Sequence, residues 1–207
     1  MKKPIAMALT LILALGLCSC GEKLYSEEEF LKALNDMYDT EFEIVDKKVE
    51  NSQVEYIVSP SDAPGKNFLV TSKLGFSSDF APSHNSIVPC HQMYLYYDDE
   101  AMAEQLEKKG TFSNDCYSYD CKYYATAHMN RDTIKIDIQS WKDDIIVYSF
   151  EPCRSSDFWG ICWEEDNYNL WIQSADIGVI CYSMVDEVWE RDEDAVRPES
   201  VISKYDK

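Results

Sequence analysis

The chain has 207 residues and a formal net charge of −19, with 38 acidic residues against 19 basic ones. This charge excludes binding to DNA or RNA through phosphate contacts, because such binding needs a basic surface. The length allows one domain, or two small ones, with a sizeable buried core. No phosphate-binding loop, dinucleotide fingerprint or metalloprotease motif is present, so the sequence predicts no catalytic residue, no metal site and no cofactor.

The first twenty residues have the three parts of a secretory signal. Lys2 and Lys3 form the basic segment, and residues 4–17 form an apolar stretch without formal charge. This stretch is shorter than the roughly 20 apolar residues that a membrane-spanning helix needs. The segment therefore predicts export of the chain, with a signal that ends in Leu17-Cys18-Ser19-Cys20.

Leu17-Cys18-Ser19-Cys20 resembles the lipobox of bacterial lipoproteins, with Cys20 in the position of the modified residue. The resemblance implies that the Cys20 thiol receives a diacylglycerol and that residues 1–19 are removed as the signal peptide. Residues 20–25 would then be the lipidated cysteine and a short tether, and residues 26–207 an extracytoplasmic domain. Two or three acyl chains anchor a protein stably, so the implied location is the extracytoplasmic face of the cell membrane. A plain secretory signal and an uncleaved anchor are the alternatives.

The mature part opens with Ser26-Glu27-Glu28-Glu29, a capping box that predicts a helix from Glu27 to Tyr38. Alternating apolar residues then predict three antiparallel strands, at residues 41–49, 53–59 and 67–72. Residues 73–89 contain prolines and serines but no apolar period. They predict a long ordered loop that faces a partner or joins two half-domains.

Residues 90–109 predict a second helix, at least from Asp98 onward, which ends at Gly110. The remainder is rich in short alternating segments, which predict strands at residues 122–127, 133–138, 144–150, 157–163, 168–173 and 179–185. The predicted fold class is therefore α+β, with two helices packed on antiparallel β-sheet: helix and three strands, then helix and β-meander. The charged end of the chain, from Asp186, predicts a tail that frays or covers a sheet edge.

After Cys20, the chain contains six further cysteines: Cys90, Cys116, Cys121, Cys153, Cys162 and Cys181. An even number of cysteines in an exported domain predicts disulfides. Cys116 with Cys121 and Cys153 with Cys162 are the favoured pairs, because each closes a short loop. Reduced, buried cysteines are the alternative, and a zinc site or a Cys–His nucleophile would need contacts with His84, His91 or His128.

These patterns support a non-catalytic binding or interaction protein of the cell envelope, which contacts the membrane through its N-terminal lipid. Its partner would be an envelope protein or a small ligand. The alternative is a lipid-anchored hydrolase that acts on cell-wall or carbohydrate substrates, and a third hypothesis is an assembly factor. Two carboxylates facing each other across a cleft would favour the hydrolase. The five tryptophans, all in the second half, predict a core of large side chains, with an exposed aromatic platform for a sugar or peptide as the alternative.

Overall fold

The computed structural model describes residues 23–74, 85–97, 100, 104, 108, 110–175, 177–203 and 205–206. Within these residues the protein is mostly β, with twelve strands in three four-stranded antiparallel sheets and two helices. The predicted α+β class, with two helices packed on the sheet, is therefore wrong. The helices cover one sheet, whereas the other two sheets bury their apolar faces against each other and need no helical layer.

Helix α1 spans Glu27–Tyr38, the range that the capping box predicts. The Ser26 backbone N–H donates to the Glu29 carboxylate at 2.8 Å, and the Glu29 N–H donates back to the Ser26 hydroxyl. These reciprocal bonds satisfy two backbone donors that a helix start leaves without partners. The buried residues Phe30 and Leu34 then lie on one face of α1, against the first sheet.

The N-terminal sheet has four strands in sequence order: β1 Phe42–Val49, β2 Gln53–Pro60, β3 Phe68–Leu74 and β4 Asn85–Pro89. Helix α2, His91–Tyr97, follows β4. One sheet face contributes Tyr56, Val58 and Val70 to a core with α1 and with Met93 of α2. Successive strand residues point to opposite faces, so the neighbouring Ile57 and Leu69 lie on the other face of the sheet.

Strand β4 lies inside the segment 73–89 that the sequence predicts to be a loop. It pairs antiparallel with β3, from Val70 opposite Pro89 to Leu74 opposite Asn85. Residues 75–84 lie outside the described part of the chain, as does most of the second predicted helix after Tyr97.

The remaining eight strands form a β-sandwich of two sheets. One sheet contains β5 Asp115–Tyr117, β6 Tyr123–Met129, β7 Thr133–Ser140 and β8 Ile146–Arg154 in that order. The other has the order β12-β11-β10-β9, with β9 Phe158–Trp163, β10 Leu170–Ser174, β11 Gly178–Val185 and β12 Val188–Asp192. The buried core between them contains Ala125, Ile134, Ile136, Ile138, Ile161, Trp163, Leu170, Ile172 and Trp189.

Trp141, in the turn between β7 and β8, joins the sandwich to the N-terminal sheet. Its ring packs with Ile57 and Leu69 on the sheet face opposite the helices, together with Cys121. Its indole N–H donates to the Glu55 carboxylate at 3.0 Å. The outer face of β2 and β3 is thereby held against one end of the sandwich.

The end of the chain covers the outer face of the sheet that contains β9–β12. Val201 packs there against Trp171 and Cys181. The backbone N–H of Thr111 donates to the Ile202 carbonyl at 2.8 Å. The tail therefore positions the segment before β5, instead of fraying or covering an edge. Neither described helix has the length and apolar character to cross a membrane.

Candidate functional site

A cleft of about 830 Å³ lies between the N-terminal sheet and the sandwich. Cavities of this size hold small molecules in many proteins. One wall comes from β3, β4 and α2, and the other from β5, β6 and the turn between β9 and β10. The same packing of Trp141 that joins the two parts holds these walls in place.

The first wall follows from the two-residue period of β3. Phe68 and Val70 are buried towards the helices, so Leu69 and Thr71 point the other way and line the cleft. Val88 of β4 also lines it and is 41% exposed. This wall is therefore largely apolar and partly open to solvent.

The second wall is aromatic and carries a carboxylate. Tyr117 of β5 lies directly opposite Tyr124 of β6, and their ring centroids are 4.5 Å apart at an interplanar angle of 36°. Asp115 lies two residues before Tyr117 and so shares its sheet face. Burial and the nearby Asp115 carboxylate raise the pKa of Tyr124. Burial also raises the pKa of Tyr117, so the wall presents two un-ionised tyrosines beside the side chain of Asp115.

At the rim, one ion pair connects the two sides of the cleft. The Lys66 ammonium, from the loop between β2 and β3, lies 3.7 Å from the Glu165 carboxylate of the β9–β10 turn. The same ammonium lies 5.5 Å from the centroid of the Tyr96 ring of α2, within the range of a cation–π contact. Both charged side chains are about half exposed, so this pair adds little to stability.

Glu164 also lines the cleft, but its carboxylate is used to build the β9–β10 turn. One oxygen accepts from the Asn167 amide at 2.7 Å. The other accepts from the Asn169 amide at 3.1 Å and from the Trp171 indole N–H at 2.9 Å. Glu164 is therefore held in place by three donors, and the adjacent exposed Glu165 projects from an ordered turn.

Four of the predicted cysteines line the cleft: Cys90, Cys116, Cys121 and Cys162. Across the described residues, no two cysteines lie at disulfide distance, and this includes the predicted pairs Cys116–Cys121 and Cys153–Cys162. Cys121 packs instead with Cys90 in the Trp141 cluster, and Cys153 packs against the sandwich core. The loops between the predicted partners are short, but the two cysteines of each pair face different clusters, so their thiols do not meet.

The cleft thiols are held in the protonated form. Burial raises the pKa of Cys162 to about 11, and it raises the pKa values of Cys90, Cys116 and Cys121 as well. Because the thiolate is the reactive species, these cysteines are poor nucleophiles at neutral pH. Cys121 is buried, and the other three are partly buried.

The histidines fall in three different situations. His128 lies on the outer face of the sandwich, with its Nε2 3.3 Å from the Asp137 carboxylate, which also pairs with Lys135 at 2.7 Å. His84 lies outside the described residues, and the side chain of His91 is not described. Among the residues that the structure describes, no group of three or more His, Cys, Asp or Glu side chains could hold a metal ion.

We expect the thiols of Cys90, Cys116, Cys121, Cys162 and Cys181 to be protected in the folded protein. With iodoacetamide at pH 8, they should react at least about a hundredfold more slowly than free cysteine, because their raised pKa values keep them protonated. In guanidinium chloride without reductant, all five should react fully. Peptide mass spectrometry measures both rates. A cysteine of this group that stays unlabelled after unfolding would reveal a disulfide instead.

Comparison of the chain with family models, with curated proteins and with solved structures finds no match. Cys20 lies outside the described residues, so its lipidation stays a prediction from the sequence. The sequence reasoning missed Asp115, Tyr117 and Tyr124 as site residues. The only available signal was the shared face of Asp115 and Tyr117 in a three-residue strand, which is too short to recognise by its period.

Proposed function

We propose that this chain is a membrane-anchored extracytoplasmic lipoprotein that binds a small ligand in the cleft without catalysing a reaction. The observation that carries the binding function is the cleft, with a volume of about 830 Å³, one apolar wall and one aromatic wall. The location is supported by the resemblance of Leu17-Cys18-Ser19-Cys20 to a lipobox. The membrane is then one partner, through the lipid on Cys20, and the cleft ligand is the other.

The tether sets the position of the cleft relative to the membrane. Between Cys20 and Ser26 there are about five residues, which span at most ~18 Å when extended. Residues 23–25 already contact the N-terminal sheet: the Lys23 carbonyl accepts from the Asn85 amide at 2.8 Å, and Leu24 and Tyr25 pack on its core. The domain would therefore stay close to the bilayer surface, where it meets ligands at or near the membrane.

Binding is favoured over hydrolysis by the state of the groups in the cleft. The thiols are protonated, the carboxylate of Glu164 is engaged by three donors, and Glu165 is paired with Lys66. A glycoside hydrolase needs one carboxylic acid and one carboxylate that both reach the substrate. Asp115 is the remaining carboxylate on the cleft walls, so the described residues supply a recognition group more readily than a catalytic pair.

Binding is tested with 4-phenylbutan-1-ol, a neutral molecule with an apolar body. We expect saturable binding by full-length lipidated protein in phosphatidylcholine nanodiscs, measured by saturation-transfer NMR and corrected with empty nanodiscs. Val88→Trp should weaken it by about tenfold or more, because the indole would occupy part of the cavity. Val49→Trp is the matched control, since Val49 is an exposed valine of the same sheet that does not line the cleft.

Equal binding by the wild-type protein and Val88→Trp would contradict the proposal. So would the absence of binding beyond that of empty nanodiscs for 4-phenylbutan-1-ol and for its amine and carboxylate analogues alike. The hydrolase alternative rests on the presence of Asp115, Glu164 and Glu165 in one cleft. It predicts that the protein releases reducing ends from purified cell-wall polysaccharide and that Asp115→Asn abolishes this release. That result would replace the binding function with a catalytic one.

A further inference from the structure

The cleft contains one cation site that the chain fills with its own lysine. The Lys66 ammonium lies 5.5 Å from the centroid of the Tyr96 ring and 3.7 Å from the Glu165 carboxylate. A ring face together with a nearby carboxylate is a favourable environment for an ammonium group, because the ring quadrupole and the negative charge both attract it. The rim of the cleft is therefore built to hold positive charge.

The opposite wall repeats this combination, and its described residues include no lysine or arginine. Tyr117 and Tyr124 form a ring pair with centroids 4.5 Å apart, and Asp115 lies on the same face of β5. Asp115 is exposed, and its carboxylate accepts a hydrogen bond from the Tyr124 hydroxyl. No lysine or arginine among the described residues forms an ion pair with it. This second set of two rings and one carboxylate is open to a ligand from the cleft.

The charges of the whole cleft also favour a positively charged ligand. Among the residues that the structure describes, three carboxylates line it, those of Asp115, Glu164 and Glu165, against the single ammonium of Lys66. The three donors to Glu164 are neutral amide and indole groups, so they do not cancel its charge. The chain carries a net charge of −19, and the loss of Lys2 and Lys3 with a signal peptide would make it more negative. Such a field concentrates cations near the protein and repels anions.

We propose that the ligand of the cleft is an organic cation, in which an ammonium group is attached to an apolar body. The proposal rests on the proposed binding function and specifies its ligand class. The ammonium group lies against Tyr117, Tyr124 and Asp115, and the apolar body lies along the wall formed by Leu69 and Val88. A neutral ligand of the same shape gains the apolar contacts alone, and an anion also meets three carboxylates.

The test compares three probes with the same apolar body: 4-phenylbutylamine, 4-phenylbutan-1-ol and 4-phenylbutyrate. Each is titrated at low ionic strength into full-length lipidated protein in phosphatidylcholine nanodiscs, with empty nanodiscs as the blank. We expect the amine to bind at least about tenfold more tightly than the alcohol, and the carboxylate to bind most weakly. High salt should reduce the preference for the amine, because exposed charges are then screened.

Two variants locate the preference in the cleft. Asp115→Asn is expected to reduce the affinity for the amine by about tenfold, and Glu165→Gln to reduce it by a smaller factor, since Glu165 also pairs with Lys66. Glu151→Gln removes the same charge from an exposed position on β8 outside the cleft, so it controls for the general field of the protein.

The outcomes separate the two proposals. Equal affinities for the amine and the alcohol would overturn the cation preference and leave the binding function standing. Equal losses in Asp115→Asn and Glu151→Gln would also overturn it, because the preference would then come from net charge alone. Tighter binding of 4-phenylbutyrate than of 4-phenylbutylamine would overturn the proposal, because the favoured ligand would then be an anion. Binding of none of the three probes would overturn the binding function itself.

Discussion

Replacement of Cys20 by serine is expected to abolish acylation of the protein and its stable attachment to the membrane. The lipobox chemistry needs a thiol that receives the diacylglycerol, and a hydroxyl does not replace it. Cells that express Cys20→Ser and are fed an alkyne-labelled fatty acid should show no label on the protein. The protein should appear either in the soluble fraction or as an unprocessed precursor, whereas the wild-type protein should be labelled and remain with the membrane.

Cys18→Ser is the matched control for this experiment. Cys18 lies two residues before Cys20, and it has the bulky Leu17 immediately before it. Cleavage before a modified cysteine requires small preceding residues, so Cys18 is a poor site for the lipid and its replacement should leave labelling unchanged. Retained label and retained membrane attachment in Cys20→Ser would contradict the lipoprotein assignment, and would also remove the tether from the proposed function.

Replacement of Trp189 by alanine is expected to lower the free energy of unfolding by about 3–5 kcal/mol. Trp189 is 1% exposed and lies in the sandwich core. Its ring centroid lies 5.2 Å from that of Tyr123 and 6.0 Å from that of Trp163. Its indole N–H donates to the Tyr168 carbonyl at 2.9 Å. The substitution therefore removes core contacts from both sheets and leaves the carbonyl of the partly buried Tyr168 without this donor.

Urea unfolding followed by circular dichroism measures this loss, with Trp159→Ala as the control. Trp159 is 37% exposed and packs against the Tyr205 ring at a centroid distance of 4.2 Å. Because its ring is partly solvated in the folded protein, we expect Trp159→Ala to cost about 1 kcal/mol. A loss below about 1 kcal/mol in Trp189→Ala would contradict the packing of the two sheets through this residue.

Local patterns located most of the secondary structure. The helix Glu27–Tyr38 was predicted to the residue, because the capping box and the apolar period both act within a few positions of the chain. The strand Thr133–Ser140 was recognised from its alternating isoleucines, which all face the sandwich core. Such predictions succeed where one face of an element is buried and the other is solvated.

The strands that were missed lack such a period. β4 contains Pro89 and pairs through only five residues, and β5 has three residues. β12 follows Asp186 and Glu187, which both adopt positive φ in a tight turn. Aspartate is enriched at positive φ, but glutamate is not a residue type that indicates it. In each case the pairing with an adjacent strand, and not the local sequence, decides the conformation.

The fold class was wrong because it depends on which faces meet. Alternation shows that a strand has one apolar face, but the same pattern fits a sheet covered by a helix and a sheet covered by another sheet. The cleft also depends on which faces meet. Leu69 and Tyr117 are far apart in the chain, and they line one cavity because Trp141 joins the outer face of the N-terminal sheet to the sandwich.

By itself, the sequence predicts lipidation at Cys20, because a lipobox is read as a linear segment and needs no fold. It also determined the positions of most strands, because the two-residue period is a local property. The tertiary structure alone decided which cysteines are neighbours, which carboxylates are engaged and where the tyrosines meet. These depend on contacts between residues distant in the chain, and no local pattern encodes them.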